Sequence, residues 1–252
     1  MEAEITKVAD MIAGARKVAV FTGAGISTES GIPDFRGPDG LWTKYDPDDF
    51  TIDNFLRSPA TRKKIWQGLR EGGLMEDARP NAAHYAIVEI EKMGKLISLI
   101  TQNVDNLHQK AGSSPGLIRE LHGNMQVLVC LNCLSRYPIS LVKERYAGSE
   151  DVPACERCKG ILKPDVIFFG EALPQETLSR AMREAEECDL MIVIGSSLVV
   201  YPAAYVPVQA QQAGADLVII NKGPTEQDHN ADVRIDAQAG ETMTKIMNRL
   251  KT

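Results

Sequence analysis

The chain has 252 residues, a formal charge of −6 and a sequence pI near 5.4. A chain of this length buries about 70 to 75% of its unfolded surface, enough for one large domain and a small inserted module, and its acidic balance offers no long-range attraction to nucleic-acid phosphates or anionic lipids. No apolar run approaches the roughly 20 residues of a membrane span, and the first residues lack a basic region followed by an apolar core, so a soluble cytoplasmic protein without membrane or direct nucleic-acid partners is expected.

An amphipathic first helix is predicted over 2–13, followed by a buried strand over 18–21. The strand runs into Gly23-Ala24-Gly25-Ile26-Ser27-Thr28, where glycines without Cβ let backbone N–H groups approach a pyrophosphate. A full dinucleotide fingerprint would have a third glycine at Thr28 and continue as a helix, whereas Gly31 and Pro33 interrupt this one. The following loop, with Asp34, Phe35 and Arg36 between Pro33 and Gly37, suits a cover over a bound cofactor. A helix over 81–93 and a strand over 96–100 come next. That strand ends in Gln102-Asn103-Val104-Asp105, amides and a carboxylate suited to a ribose or a carboxamide. Asp105 taken alone could equally cap the next helix.

Leu121-His122-Gly123-Asn124 places an imidazole between small or polar residues after a short apolar segment, a candidate general base. Of the other histidines, His84 lies in a helix, His229 in a polar loop, and His108 soon after Asp105, where it packs or caps. Composition changes between about 125 and 162, where Cys130-x-x-Cys133 and Cys155-x-x-Cys158 occur. Two such pairs favour a closed, structural Zn²⁺ site; the alternatives are free thiols or two disulfides. Cys188 stands alone and is expected in the core. The apolar run Val166, Ile167, Phe168, Phe169 is either a core strand or an edge that adds an extended peptide.

A helix over 176–188 and a strand over 190–194 precede the turn Gly195-Ser196-Ser197, again open to close backbone approach. A strand over 217–220 ends at Asn221-Lys222, positioned for an adenosine ribose, and a helix over 240–250 closes the chain. Strands alternating with helices predict an α/β fold, a parallel sheet covered on both faces, with ligands at the strands' carboxyl ends.

Taken together, Gly23-Ala-Gly-Ile-Ser with Gly31-Ile-Pro-Asp-Phe-Arg, Thr101-Gln-Asn-Val-Asp, Leu121-His-Gly-Asn, the cysteine quartet, Phe168-Phe-Gly-Glu and Gly195-Ser-Ser-Leu resemble the sirtuin family of NAD-dependent protein lysine deacylases over nearly the whole chain. The resemblance implies a Rossmann-like NAD-binding domain (1–124 and 164–252), a small zinc-ribbon module (125–163), and a cleft between them where NAD and an acyl-lysine peptide meet. Carried over, it puts Ala24, Thr28, Phe35, Arg36, Gln102, Ser196 and Asn221 around NAD and Ala239 near the adenine. It puts Asn103, Val104 and Asp105 at the nicotinamide and His122 as catalytic base. Val166 to Phe169 and Leu198, Val199 and Val200 would sandwich the peptide as an added strand. In the family's scheme the acyl oxygen attacks the ribose C1′, the 2′-hydroxyl then attacks the imidate, and free lysine, nicotinamide and acyl-ADP-ribose leave. Members that prefer succinyl or malonyl groups carry Tyr-x-x-Arg after the cofactor loop; here no tyrosine has Arg three residues later, and 61–73 offers Trp66 and Leu69, so acetyl or longer apolar acyl groups are expected. The rival readings are a mono-ADP-ribosyltransferase, a non-catalytic NAD sensor and, with the broken glycine pattern against it, a dehydrogenase.

Overall fold

The computed structural model describes residues 1–70, 75, 77–140, 144, 146 and 152–251. Residues 71–73 of the stretch read for acyl preference, and parts of the 125–163 module, lie outside the described residues.

Helix α1 (Glu2–Gly14) buries Ile5, Val8, Ala9 and Ile12, the helical spacing read from the sequence. Strand β1 (Val18–Thr22) is buried along its whole length, as expected of a strand covered on both faces. Helices α2 (Ile52–Arg57), α3 (Pro59–Arg70) and α4 (Ala82–Lys92) precede β2 (Leu96–Thr101); α5 (Leu107–Ala111) leads to β3 (Ile118–Glu120). A second, antiparallel sheet holds β4 (Gly123–Cys130), β5 (Arg136–Pro138) and β6 (Leu162–Val166) in the order β5-β4-β6. The chain then returns through α6 (Gln175–Glu187), β7 (Leu190–Ile194), α7 (Tyr205–Gln212), β8 (Asp216–Ile220), β9 (Val233–Ile235) and α8 (Ala239–Arg249).

The main sheet is parallel throughout, in the order β3-β2-β1-β7-β8-β9. Alternation sends Val18, Val20, Ile192 and Val218 to one face, under α1, α4 and α8, and Ala19, Phe21, Val193 and Ile219 to the other, under α6 and α7. Strand order reverses between β1 and β7, the place where sheets of this kind carry ligands at the strands' carboxyl ends. At the β3 edge, Arg119 is 5% exposed and pairs with Glu184 of α6 through Nε at 2.8 Å and Nη2 at 2.6 Å. Ser98 donates to the same carboxylate at 2.6 Å.

A separate apolar cluster joins the two parts of the chain. Trp66 of α3 is buried with Leu128, Cys130, Cys155 and Leu162, and Leu69 packs beside it. This revises the reading of 61–73: Trp66 faces the cysteine-bearing sheet. Its neighbour Ile65, about 100° around the helix, packs instead against Phe55, Val166 and Phe168.

Candidate functional site

The site begins where β1 ends. Gly23 opens a seven-residue 3-10 helix, Ala24–Ser30, closed by Gly31 at φ 84°, so the interruption expected at Gly31 falls where the sequence put it. The glycines answer first to packing. A Cβ on Gly23 would lie 2.8 Å from Gly195 O and Ser196 Cβ, and one on Gly25 2.8 Å from Gly195 Cα. Gly195 itself has φ 66° and abuts the Gly25–Ile26 backbone, a combination open only to glycine. Gly25 N donates to Gly195 O at 2.8 Å and Gly23 N to Ile194 O at 3.1 Å. The loops after β1 and β7 are thereby held as one unit.

The loop after β2 locks onto that unit. Gln102 N donates to Thr22 O, and Ser196 Oγ to Gln102 Oε1 at 2.8 Å. Buried Asn103 donates through Nδ2 to Gly23 O at 3.1 Å and Ser27 Oγ at 3.3 Å. Asp105 accepts from Ser27 Oγ at 2.7 Å and from Leu107 N at 2.9 Å. It thereby ties the cofactor loop to the first residue of α5. Burial pushes its carboxyl above the usual range against those two hydrogen bonds. Val104 packs among apolar side chains around Phe55, Val166 and Phe168.

His122 lies in the turn between β3 and β4. Its Nδ1 is 3.0 Å from the Gln102 carbonyl; since a carbonyl only accepts, Nδ1 carries the proton and Nε2 keeps its lone pair. Burial lowers its pKa below 6.5, partly offset by that hydrogen bond, so the ring is neutral at pH 7. Gly123 follows at φ 77° with the Asp165–Val166 backbone where a Cβ would sit, and Ile167 N donates to His122 O at 2.9 Å. The base candidate is thus fixed from both sheets.

The cover loop is tied down by aromatic contacts. Asp34 accepts from Gly37 N at 2.7 Å. Phe35 lies 5.1 Å from Trp42, which also meets Phe50 at 5.5 Å and Phe169 at 5.9 Å. Thr28 and Arg36 are exposed. Asn221 is buried and donates to the Lys222 and Gly223 carbonyls, Lys222 is exposed, and Ala239 is buried at the start of α8. Glu29, from the 3-10 helix, accepts from Gly240 N at 2.5 Å, joining that helix start to the cofactor loop. Ser197 O accepts from Glu226 N.

Of the two expected peptide flanks, Val166 and Phe168 point inward and Phe169 is 43% exposed. Ile167 N and Phe169 N are bonded to His122 O and Phe50 O, and Phe168 N to Glu171 Oε2. Leu198, at φ 57°, is buried in the core, leaving Val199 exposed and Val200 half-buried.

The four cysteines converge. The sulfurs of Cys130, Cys133, Cys155 and Cys158 lie within 4.8 Å of one another, with Cys130–Cys158 and Cys133–Cys155 each at 3.5 Å. Tetrahedral Zn²⁺ with Zn–S near 2.3 Å requires sulfurs about 3.8 Å apart, so the quartet fits zinc. Both pairs use the same turn: Cys130 O accepts from Leu134 N and Cys155 O from Lys159 N, with Leu134 at φ 59° and Lys159 at φ 61°. Burial pushes the Cys130 thiol up to about 11, whereas the Tyr137 hydroxyl, 3.2 Å from Cys155, draws that thiol down to about 6.

Beneath the site, Thr22 Oγ1 donates to Thr101 Oγ1 at 2.8 Å and meets His108 Nε2 at 2.9 Å, and Thr101 Oγ1 accepts from Asn103 N. The His108 ring lies 5.0 Å from His84, and both are fully buried, with His108 Nδ1 and His84 Nε2 unpartnered. Burial lowers the pKa of His84 to about 4; burial and then His84 lower that of His108 to about 3. An unfolded chain takes protons on these rings near 6.5 while the folded one refuses them, so their contribution is complete above pH 6.5 and is lost as pH falls toward 4 and 3. The gap corresponds to about 3 to 5 kcal/mol for each ring at the acid limit. Thermal unfolding between pH 7 and 4 should show a steep loss of Tm. His84→Gln keeps an acceptor for Asn81 N, the reciprocal bond of this helix start, and should flatten the slope; an unchanged slope would assign the acid sensitivity elsewhere.

Comparison with known proteins gives one answer. The Sir2 family model matches residues 23–202. The NAD-dependent protein deacylase 2 of Archaeoglobus fulgidus is 49% identical over 256 residues, spanning 100% of this chain and 98% of that protein. A solved Sir2 enzyme superposes with a TM-score of 0.91 at 48% identity, covering 100% of this chain and 99% of the other. Another Sir2 structure, with a deacetylated p53 peptide and 3′-O-acetyl ADP-ribose, gives 0.89 at 39% identity, with 97% of each chain covered.

Proposed function

The chain belongs to the Sir2 family, and we propose on that premise that it is an NAD-dependent protein lysine deacylase, moving the acyl group of an N6-acyl-lysine peptide to ADP-ribose with release of nicotinamide. One observation carries the reading: the loops after β1, β2 and β7 are bonded into one unit, and His122 is fixed on that unit with Nε2 unprotonated.

When bound, NAD supplies an electrophilic ribose carbon with nicotinamide as leaving group. Asn103 and Asp105 line the carboxamide recess with Val104; Ser27 orients both polar side chains, which lowers the cost of ordering them at the moment of reaction. Gly23, Ala24, Gly25, Thr28, Asp34, Phe35 and Arg36 hold the pyrophosphate and cover it. Gln102, Gly195, Ser196 and Ser197 shape the middle of the cofactor site, and Asn221, Lys222 and Ala239 its adenosine end. His122 Nε2 takes a proton from a hydroxyl presented to it, while the Gln102 carbonyl stabilises the positive charge that the ring then carries.

The acyl-lysine enters between Val166–Phe169 and Leu198–Val200. Phe55, Val166 and Phe168, with Ile65, Val104 and Met125 around them, form an apolar wall, and the cations beside it are engaged, Lys163 with Glu171 and Arg62 with the Phe55 and Leu56 carbonyls, so the preference is acetyl or longer apolar chains. We read 1–124 and 164–252 as the NAD-binding domain and 125–163 as the zinc module, with α3 packed onto the module. Among the described residues no helix is long and apolar enough to cross a membrane. Four zinc-binding thiolates suit the reducing cytoplasm, where we place the protein.

The test is incubation of the purified protein with acetyl-, longer apolar acyl- and succinyl-lysine peptides, with and without NAD, following peptide mass and nicotinamide together. Loss of acyl mass matched by nicotinamide release, with succinyl at least about tenfold slower, is expected. Addition of ADP-ribose mass to the peptide would identify a transferase, and NAD binding without turnover a sensor.

A further inference from the structure

Lys163, on β6, is 3% exposed, although lysines are almost never buried without a partner. Its ammonium spends its donors on Pro164 O at 3.2 Å, Val166 O at 2.5 Å and Glu171 Oε2 at 3.0 Å, and stands 4.7 Å from the centre of the Phe168 ring. The same Glu171 oxygen accepts from Phe168 N at 2.7 Å, and Glu171 N donates to Phe168 O at 3.0 Å across Gly170, which sits at φ 88°. One charge pair, its lysine buried and its glutamate half-buried, thus closes the end of β6 and the following turn into a ring. Replacing a buried ion pair by apolar residues of similar volume is often neutral or stabilising, so stability alone gives little reason to keep this one.

Its geometry gives a reason. The ring fixes Val166 and Phe168 inward, Phe168 edge-on to Phe55 at 5.2 Å, and turns Phe169 outward, where its N–H and C=O bond to Phe50 and Ile52. Ile167, between Val166 and Phe168 in the chain, has its N–H on His122 O. We propose that Lys163, through Glu171, is a positioning residue for the acyl-peptide wall: it touches no substrate, but sets the path of 166–171 against His122. This rests on the deacylase reading above.

The experiment compares wild type, Lys163→Met, Glu171→Gln and the double variant in steady-state kinetics against acyl peptide and NAD separately, in thermal unfolding, and in amide exchange over 166–171. Lys163→Met is expected to raise KM for the peptide about tenfold or more, with KM for NAD unchanged and faster exchange at Phe168. Glu171→Gln retains an acceptor for Phe168 N and gives a smaller rise. The double variant removes both charges and should recover Tm but keep the raised peptide KM, a separation that a merely structural pair would not produce. Folded variants with the wild-type peptide KM, or unchanged exchange at Phe168, would overturn the assignment. Absence of NAD-dependent acyl loss from the wild type would instead sink the deacylase reading.

Discussion

His122→Ala is expected to lower kcat/KM for an acyl-lysine peptide by about 10² to 10⁴-fold, the usual contribution of a positioned acid–base group, while leaving the affinity for NAD within about twofold. The two effects separate because the ring faces the site from the β3–β4 turn, whereas the cofactor loops are held by bonds it does not make: Gly25 N to Gly195 O, Ser196 to Gln102, and Asn103 to Gly23 and Ser27. The pH profile supplies an independent check. Burial places the His122 pKa below 6.5, so activity should be flat through neutrality and fall only on the acid side of that value, as Nε2 takes up a proton and can no longer accept one from substrate. His122→Ala should lose this limb along with the rate. A variant keeping more than about a tenth of wild-type activity, well short of the loss a general base implies, would mean that another group moves the proton.

Much of this was legible before any coordinates. The buried runs 18–21, 96–100, 190–194 and 217–220 became β1, β2, β7 and β8 with ends moved by at most one residue, because a strand buried on both faces has no polar alternation to obscure it. Gln102, Asn103, Asp105, His122 and Ser196 stand out in the sequence because chemistry in such sheets gathers at the strands' carboxyl ends, and the structure brings them together. What escaped was set by packing between distant segments. Lys163 lies in a short mixed strand and carries no motif; the Pro164 and Val166 carbonyls, Phe168 and Glu171 around it explain a lysine there. Ser27 reads as one more small residue in a loop until Asn103 and Asp105 meet it. Trp66 and Ile65 are adjacent, and sequence alone does not say which faces the site. The structure sends the larger one to the cysteine sheet, because the space beside Leu128, Cys130 and Cys155 takes the indole.

Removing zinc, or replacing Cys155 by serine, is expected to unfold the three-stranded sheet and abolish peptide deacylation. A structural zinc contributes on the order of 10 to 16 kcal/mol, comparable to the net stability of an entire domain, about 5 to 15 kcal/mol. Among the described residues, the metal ligands are part of its apolar cluster: Cys130 and Cys155 are buried with Leu128, Leu162, Ile139 and Trp66, and Cys133 and Cys158 pack against them. The loss should travel in two directions. β4 starts at Gly123, directly after His122, and β6 ends at Val166, one residue before the N–H that holds the His122 carbonyl, so melting the sheet frees the base and one peptide wall together. Trp66 loses its packing at the same time. The chain has only two tryptophans, Trp42 and Trp66, so in a Trp42→Phe background the fluorescence reports the small sheet alone. Chelation should shift its emission to the red and end acyl transfer, while the circular dichroism of the main sheet and its helices is largely retained; zinc added back should restore both. Emission and activity that survive complete removal of the metal would show that the sheet is held by its apolar contacts, with the cysteine cluster dispensable.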